Sequence, residues 1–510
     1  MLSEGGPCSA ALRAGERGPQ WTLAVGCAGV ALIVGSMVAF NTALGDLAAA
    51  TSASQTQLTW IVDGYTVVLA CLLLPAGAIS DRYGRRAALA GGLAVFAAAS
   101  VSPAILEDPA QIIAARMMAG AGAAFVMPAT LSLLTHAYPA SQRGKAVGLW
   151  AASAGCAGVA GMMGSGVLLH FWDWRAICWA LGGAAVLMVA AVCTVAPSRA
   201  GAAPPIDWLG AAFIAAAVAL IVVALLDAPH RGWTDPTTLG RLVVSAVIGG
   251  VFVVIERRQS RPLLDVRLFA DPRFTAAATT VTVLFAATFG FFYLAMQYVQ
   301  LILGFSPLIA AVAFAPFAVP VVALSPLSFR YTPRIGLHRV LPAGLAVIAC
   351  GFLTMLGLDQ RSSYQHSAVC VVTIGVGIGL CTAPATSAIM GAVGEDRQGI
   401  GSAINDAARE IGAALGIALA GSVLADRYTR VLGPRLAGWP TSVRKPASDS
   451  LGAALHIADL AGPQGATLAA LGRESFIAAM HSSAIVMAVV AIAAAVFVGW
   501  RSPSDGHPLT

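Results

Sequence analysis

The sequence predicts an all-α membrane protein with about fourteen membrane-spanning helices, and two observations carry that prediction. First, 58% of the residues are hydrophobic and only 11% are charged, with a mean hydropathy of +0.80. Soluble proteins usually carry about 25% charged residues. Second, the hydrophobic runs are about 20 residues long, which is the length a helix needs to cross a bilayer. Barrel strands would be about 10 residues long and would alternate in polarity.

Fourteen such runs follow one another and are called predicted helices 1 to 14. They span residues 21–43, 60–79, 87–106, 110–134, 144–169, 176–195, 208–226, 239–255, 274–300, 307–328, 338–358, 366–390, 399–424 and 475–500. The first run is longer than the 7–15 residue core of a signal peptide, so we expect it to be retained. Eight of the nine cysteines lie within the runs without metal-ligand spacing, which predicts buried apolar side chains and no metal site.

The distribution of Lys and Arg predicts the orientation. Eighteen of the thirty lie in segments on the side of the N-terminus, whereas short loops on the other side hold four. Six more lie in the long stretch 426–473, and two lie within predicted helices. Since long loops count little in the positive-inside rule, we expect both termini in the cytoplasm. The net charge of +6 follows from this bias and does not call for a nucleic-acid partner.

Composition changes divide the chain into five segments. Residues 1–20 form a cytoplasmic tail, and 21–195 form a bundle of six helices. A linker with predicted helices 7 and 8 covers 196–273. Residues 274–500 form a second bundle of six helices, with a polar outer loop at 426–473 that has room for short helices. A second cytoplasmic tail occupies 501–510.

The strongest motif follows predicted helix 2 and reads GAISDRYGRR from Gly77 to Arg86. A glycine permits close helix approach or a tight turn, and an Asp can cap a helix or pair with Arg. The stretch RYTPRIG at 330–336, after predicted helix 10, is a similar basic turn ending in glycine. This faint echo suggests internal duplication, which is typical of secondary transporters with a substrate site between the halves.

The decapeptide resembles the signature G-x-L-x-D-R-x-G-R-R of the major facilitator superfamily. That resemblance implies a conformational latch on the cytoplasmic side, formed by Gly77, Asp81, Arg82, Gly84, Arg85 and Arg86. Further matches are similar to the fourteen-helix drug:proton antiporters of the EmrB/QacA type: WIVDGY at 60–65, ARMMAGAG at 115–122, DWLG at 207–210, Gly232-Trp233, GFSPL at 304–308 and the stretch 399–421. The resemblance covers residues 21–500.

This resemblance implies a fold of two six-helix bundles plus two inserted helices. It also implies export of small amphipathic organic molecules, such as drugs, antibiotics or a secondary metabolite, in exchange for protons. The proton gradient would be the energy source, without a cofactor, and we expect a monomer in the bacterial plasma membrane. No phosphate-binding loop or hydrolase motif occurs in the sequence, so we expect no enzymatic activity.

Two departures from the family pattern bear on proton coupling. Ser36 stands where members usually carry an Asp in helix 1. Helix 5 usually contains Gly-Pro-x-x-Gly-Gly, but here residues 161–166 read GMMGSG. Gly161, Gly164 and Gly166 can still pack closely, without a proline-directed bend. These departures keep open a transporter of a defined metabolite with altered or absent proton coupling, and a sensor or scaffold of the same fold that does not transport.

Charged residues within predicted helices are the candidates for proton coupling, because a charge at the bilayer centre costs about 2.5–3.5 kcal/mol. Arg116 needs a counter-charge, and we expect Asp63 to supply it and to carry a proton. Alternatively, Asp63 faces outer-leaflet water. In predicted helix 13, Arg409 and Glu410 lie three and four residues after Asp406, on the same helix face. Two carboxylates sharing one guanidinium could bind and release a proton, unless the cluster is merely solvated at the helix end.

A last group of residues is predicted to line the substrate cavity. Aromatic, Met and amide side chains bind varied apolar molecules without fixed geometry. The alternative for each is ordinary helix packing. The residues are Trp60, Met127, Phe292, Met296, Gln297 and Asn405.

Overall fold

The computed structural model describes residues 18–51, 53, 55–196, 207–259, 262–393, 397–460 and 465–502. Residues 1–17 and 503–510 of the predicted tails (1–20 and 501–510) therefore lie outside the described residues, as do residues 197–206 of the predicted linker (196–273). Within the described part, thirteen helices are long and apolar enough to cross a membrane, and a bent pair supplies a fourteenth span. The prediction of about fourteen spanning helices is confirmed.

The spanning helices are labelled α1 to α14 in chain order. They are α1 (Pro19–Ala39), α2 (Gln55–Tyr83), α3 (Arg85–Val101), α4 (Pro109–Ala137), α5 (Ala140–Phe171), α6 (Arg175–Cys193), α7 (Trp208–Arg231), α8 (Pro236–Arg258), α9 (Pro272–Gln297), α10 (Ile309–Leu324 and Ser328–Ile335), α11 (Leu337–Thr354), α12 (Tyr364–Ala392), α13 (Gln398–Arg435) and α14 (Gly465–Arg501).

Two of these helices, α9 and α10, contain backbone features that the hydrophobic runs did not predict. The span at α10 continues to Ile335 and bends by 63° between its two pieces. α9 passes directly into a π-helical turn at Tyr298–Ile302. Hydrophobicity predicted neither the bend nor the π-helical turn, because both are features of backbone geometry and leave no change in the apolar pattern.

The stretch 426–473 is less of a loop than predicted. α13 continues to Arg435, and α14 begins at Gly465, so helices occupy both of its ends. The two short helices Thr441–Asp449 and Leu451–Leu460 lie between them. The Tyr428 hydroxyl on α13 donates to the Ala447 carbonyl at 3.2 Å, and Ala447, Leu451 and Ala454 are buried. These short helices therefore pack onto the ends of α13 and α14.

The spanning helices pack in two groups with the same pairing pattern. In the first group α1 contacts α4, α5 and α6, α4 contacts α2 and α3, and α3 contacts α6. In the second group α9 contacts α12, α13 and α14, α12 contacts α10 and α11, and α11 contacts α14. Each helix of the second group thus repeats the role of the helix eight positions earlier. The pattern gives the faint sequence echo a structural basis.

Equivalent turns in the two groups also share backbone geometry. Gly84 joins α2 to α3 with φ 111°, and Gly336 joins α10 to α11 with φ 86°. A side chain rarely adopts such a positive φ, so glycine is required at both turns. This correspondence supports internal duplication of a six-helix unit.

Two seams join the groups. In one, α2 packs along α13, and in the other, α5 packs along α10 and α12. The inserted helices α7 and α8 pack against each other, and α7 also contacts both α2 and α13. Val218, Val222 and Leu225 of α7 belong to one apolar cluster with α2 and α13 residues. The inserted pair therefore covers one seam from the side.

Candidate transport site

The end of the molecule that carries the basic turns, here called the basic end, is closed by contacts between the two groups. Asp81 of α2 accepts hydrogen bonds from the Gly399 and Ile400 backbone N–H groups at 3.0 and 3.2 Å. These are free donors of the first turn of α13, where the helix dipole favours a negative charge. Arg85 pairs with the same carboxylate at 3.2 Å.

Glycines allow the backbones to approach at this point. A Cβ added to Gly77 would lie 2.6 Å from the Gly399 carbonyl oxygen. The other seam is equally tight, since a Cβ on Gly148 of α5 would lie 2.5 Å from the Ser325 carbonyl oxygen. Both seams are therefore in direct backbone contact at the basic end.

The predicted latch residues do not all lie in this contact. Arg86 Nη1 donates to the Val195 carbonyl at 2.9 Å and so ties α3 to the end of α6 within the first group. Arg82 lies over the Tyr83 ring at 5.8 Å. Gly84 forms the turn. Gly77, Asp81 and Arg85 form the junction with α13, and the other three shape the turn that presents them.

Arg116 of α4 is fully buried and surrounded by neutral groups. Its Nε donates to the Ile61 carbonyl at 3.2 Å, and its Nη atoms donate to the Ser36 hydroxyl and carbonyl at 3.4 and 3.5 Å. The Phe40 and Tyr65 rings lie 4.3 and 4.4 Å from the guanidinium carbon. Aromatic faces stabilise a cation. Ser36 thus contacts the guanidinium that an Asp would neutralise in the family pattern.

The predicted pairing of Asp63 with Arg116 is wrong in this structure. The Tyr65 ring faces Arg116, and Asp63, two positions earlier on the helix, points to a different face. Asp63 instead shares its face with Val67, which packs in one cluster with α7. Asp227 of α7 forms ion pairs with Arg231 and Arg241.

Asp406, Arg409 and Glu410 of α13 are buried where the two groups meet, with at most 5% exposure each. Arg409 Nη1 bonds Asp406 Oδ1 at 3.4 Å. Asn405 Nδ2 donates to the same oxygen at 3.3 Å, and Asn405 Oδ1 accepts from the Thr386 hydroxyl of α12 at 3.1 Å. The predicted sharing of Arg409 is only partly right. Glu410 forms no ion pair with Arg409 among the described contacts.

Aromatic rings from both groups cover Arg409. The Trp150 ring of α5 lies 5.2 Å and the Phe285 ring of α9 lies 4.5 Å from the guanidinium carbon. Trp150 is 1% exposed, and its Nε1 donates to Thr130 of α4 at 3.2 Å. The charged centre of α13 therefore faces side chains of the first group across the interface.

Three buried polar atoms of this centre lack hydrogen-bond partners within the described part of the chain. They are Asp406 Oδ2, Arg409 Nε and Glu410 Oε2. Most buried polar groups in proteins have a hydrogen-bond partner, and each unpaired one costs about 1–3 kcal/mol. Two carboxylates with one directly bonded cation and two spare oxygens can bind a proton, a water molecule or a polar group of a ligand. None of the other predicted residues shows this combination.

The residues predicted to line a substrate cavity are not brought together. Met127 is 1% exposed within the core of the first group. Phe292 packs on Phe314 and Phe317, with ring centres 5.3 and 5.1 Å apart. Gln297 donates to the Tyr293 carbonyl on its own helix, and Met296 accepts from Gln300. Trp60 is half-buried near the end opposite the basic end. Only Asn405 adjoins the charged centre.

The three glycines of α5 were predicted to allow close packing with another helix, but their surroundings differ. A Cβ on Gly161 would lie 2.5 Å from the Gly35 carbonyl oxygen of α1, so this position requires glycine. A Cβ on Gly164 would meet no atom within 4 Å, and the prediction of close packing is wrong there. Gly166 is half-buried. Ser165 bonds Thr42 at 2.8 Å and supplies a second link from α5 to the α1 region.

Sequence reasoning missed the aromatic partners of both arginines. Tyr65 belongs to the WIVDGY motif, in which only Trp60 and Asp63 were predicted to have a role. Phe40 lies near the end of the first predicted helix, and Trp150 and Phe285 lie in other hydrophobic runs without a motif. A buried arginine without a carboxylate partner predicts aromatic rings or carbonyl groups nearby, because these groups also stabilise a positive charge. Which rings supply that need depends on tertiary packing.

Comparisons with known proteins agree with this architecture. The family described as Major Facilitator Superfamily matches residues 26–417. "Multidrug resistance protein Stp" of Mycobacterium tuberculosis (strain CDC 1551 / Oshkosh) is 31% identical over 482 residues, covering 92% of this chain and 89% of that protein. "Multidrug efflux pump LfrA" of Mycolicibacterium smegmatis is 29% identical, with 88% and 89% covered. The "Tetracenomycin C resistance and export protein" of Streptomyces glaucescens is 28% identical, with 89% and 87% covered.

Solved structures share the fold at low sequence identity. The human organic anion transporter MFSD10 (TETRAN) superposes with a TM-score of 0.62 at 12% identity, covering 95% of this chain and all of that one. A bacterial homologue of the human lysosomal transporter Spinster, inward-facing and unoccupied, gives 0.60 at 15% identity, with 95% and 96% covered. The protein described here belongs to the Major Facilitator Superfamily. It is a multi-pass membrane transporter of small molecules and not an enzyme.

Proposed function

We propose that the protein exports small amphipathic organic molecules from a bacterial cytoplasm in exchange for protons, by alternating access. The relatives named as multidrug or antibiotic resistance proteins support the substrate class. The excess of Lys and Arg at the basic end supports placing that end, and both chain termini, in the cytoplasm. No cofactor is needed in this proposal, since the proton gradient supplies the energy.

The observation that carries the proposal is the charged centre of α13. Asp406 and Glu410 lie about one helical turn apart in a buried site, and among the described contacts only Asp406 is bonded to the cation Arg409. Burial without a full set of partners favours the neutral form of a carboxyl group. A proton bound here when the site faces outside would be released when the site faces inside. Substrate loading would then compete with proton binding at the same interface.

In this proposal, the closed basic end separates the charged centre from the cytoplasm. With Asp81 bound to the first turn of α13, the charged centre two to three turns further along the same helix has no route to the cytoplasm through this seam. Opening the latch would move α13 and the residues on it. We therefore propose Gly77, Asp81 and Arg85 as the cytoplasmic gate, and Asp406, Arg409 and Glu410 as the coupling site.

Transport by everted membrane vesicles tests the proposal. We expect uptake of an amphipathic dye such as ethidium to depend on an imposed pH gradient and to collapse when a protonophore dissipates it. Asp406→Asn and Glu410→Gln should each lower gradient-driven uptake by at least about tenfold, the size of effect typical for a proton-transfer group. Asp426→Asn is the matched control, because Asp426 is an exposed acid on the same helix that pairs with Arg430.

Two results would contradict the proposal. One is full uptake without a pH gradient in the wild type. The other is an equal loss in the Asp426→Asn control. Absence of uptake for every amphipathic probe, with the folded protein present in the vesicles, would favour the non-transporting sensor or scaffold.

A second candidate function is favoured by Ser36. Arg116 is held by neutral groups, so the first group has no carboxyl at the position where family members carry one. A transporter of one defined metabolite without proton coupling fits that arrangement. Uptake that persists after the pH gradient is dissipated, for a narrow set of substrates, would select this candidate.

A further inference from the structure

A second pair of carboxyl groups lies outside the transport site, where the inserted helices meet the basic end. Glu256 is in the last turn of α8 and is 2% exposed, and Asp207 directly precedes α7. Asp207 Oδ1 accepts from the Leu209 and Gly210 backbone N–H groups at 3.1 and 3.0 Å, as an N-cap does. Its Oδ2 accepts from the Gln259 side chain at 2.8 Å.

The two carboxyl groups face each other across Gly210. A Cβ at Gly210 would lie 2.4 Å from Asp207 Oδ2 and 2.5 Å from Glu256 Oε1. Both oxygens therefore occupy the space that a side chain would fill. Glu256 Oε1 has no other hydrogen-bond partner among the described residues. Two ionised carboxylates repel each other strongly in a buried site, and a shared proton removes that repulsion.

The other oxygen of Glu256 holds the connector, which is the stretch 262–266 between α8 and the second group. Glu256 Oε2 accepts from the Leu264 backbone N–H at 3.1 Å. Leu263 and Leu264 are 4% and 5% exposed. They belong to one apolar cluster with Leu74 and Ala78 of α2. Leu74 and Ala78 lie on either side of Gly77 in the sequence, and Gly77 is the point where α2 touches α13.

Among the described residues, Asp207 is the acid that faces Glu256 across Gly210. Leu263 and Leu264 of the connector share an apolar cluster with Leu74 and Ala78 of α2, Ala211 of α7 and Phe274 of α9. The charged neighbours along the chain are Arg257 and Arg258, which follow Glu256, Asp265 within the connector, and Arg267 and Arg273 after it. Asp265 is occupied as the cap of the following turn, accepting from the Arg267 backbone N–H at 3.0 Å.

We propose that Glu256 and Asp207 bind one proton between them on the cytoplasmic side and thereby fasten the connector against the closed basic end. Loss of that proton places two negative charges side by side and drives Glu256 away from Leu264. The connector then loosens next to the latch, and the basic end opens more readily. The pair is a sensor of cytoplasmic pH, separate from the site that couples transport to protons.

Hydrogen–deuterium exchange of the full-length protein in nanodiscs tests this inference without requiring transport, so its outcome is independent of the proposed export function. In the wild type, protection of the peptide covering 262–271 should fall by about tenfold or more as the pH rises, after correction for intrinsic exchange rates. Glu256→Gln keeps the acceptor for Leu264 and removes the charge. It should hold the peptide protected at every pH.

Two further variants complete the test. Asp207→Asn retains an N-cap residue but ends the repulsion, so protection should again be independent of pH. Asp271→Asn changes another N-cap aspartate of the same region, the cap of α9, which faces no acid among its described contacts, and should leave the wild-type pH profile unchanged. A flat profile in the wild type, an unaltered profile in Glu256→Gln, or a flattened profile in Asp271→Asn would each overturn the inference.

Discussion

At the scale of single residues, two buried arginines show how one side chain is stabilised by different means. Arg409 has a bonded carboxylate and two aromatic rings, whereas Arg116 has two aromatic rings, a hydroxyl and backbone carbonyls. A buried cation without an acidic partner is costly. Carbonyl dipoles and ring faces replace part of the missing negative charge. Ser36 is the residue that decides this difference.

Ser36→Asp should therefore stabilise the protein. The new carboxylate would lie beside Arg116, whose Nη1 is already 3.4 Å from the Ser36 hydroxyl. It would pair a charge that is already buried, and a hydrogen bond to a charged group contributes about 1.5–3 kcal/mol. We expect a higher Tm in detergent by several degrees, measured by the fluorescence of a thiol-independent dye or by light scattering.

Ser36→Asn tests whether a change in Tm is caused by the charge or by the size of the new side chain. It adds nearly the same volume without a negative charge, so its Tm should not rise. Equal destabilisation by both substitutions would show that the space around Arg116 cannot accept a larger side chain, and the expected ion pair would be refuted.

At the scale of helices, the seams between the two groups depend on small residues at a few positions. Gly77 meets Gly399 and Gly148 meets Ser325 across the seams, and Gly161 meets Gly35 within the first group. In a membrane, close backbone approach replaces much of the hydrophobic driving force between helices. Glycines without neighbours, such as Gly91 and Gly164, contribute nothing to these seams. A glycine count therefore does not reveal where helices touch.

Gly77→Ala should weaken the junction of α2 with α13. The new Cβ would lie 2.6 Å from a backbone oxygen that cannot rotate away, so the helices must separate. Overpacking of this kind typically costs about 1–3 kcal/mol. We expect a lower Tm and faster exchange of backbone amides in the first turns of α13.

Gly91→Ala on the neighbouring helix α3 is the control. Nothing lies within 4 Å of its added Cβ, and alanine favours a helix over glycine by about 1 kcal/mol. Its Tm should stay level or rise. A loss of stability as large as that of Gly77→Ala would mean that the packing explanation is incorrect.

At the scale of the whole molecule, the two groups are copies of one repeated unit, and they contact each other along two seams. α2 against α13 and α10 against α5 are equivalent contacts under the repeat. Both are closed at the basic end. Rocking of one group against the other would open both seams together, which is the movement that alternating access requires. Asp81 is the charged contact that holds this state.

Asp81→Asn should shift the conformational equilibrium toward an open basic end. It removes the charge from two hydrogen bonds to α13 and from the ion pair with Arg85. A loss of about 1–2 kcal/mol corresponds to a 5–30-fold change in population. The reporter is Ser325→Cys, a buried position on the α5–α10 seam, in a background without native cysteines.

The reaction of Cys with a membrane-impermeant thiol reagent, applied from the cytoplasmic side, should speed up by that factor in Asp81→Asn. Asp173→Asn, an exposed acid at the opposite end that pairs with Arg175, should leave the rate unchanged. Identical rates in Asp81→Asn and the parent would contradict the role of Asp81 in closing both seams.

The sequence by itself determined the number of spans, the basic turns and the charged residues of α13. Spanning helices reveal themselves locally, because a length of apolar residues must match the bilayer and charge within it is costly. The equivalent turns at Gly84 and Gly336 were visible for the same reason, since a sharp turn between helices requires glycine in a short basic stretch.

Only the tertiary structure decided which groups face each other. It placed Asp63 on the face of α2 that packs with α7, gave Arg116 two rings instead of a carboxylate, and set Glu256 against Asp207. Hydropathy fixes the depth of a residue in the membrane but not the rotation of its helix. Rotation follows from the fit of many small contacts between helices that are distant in the chain, and no local pattern records that fit.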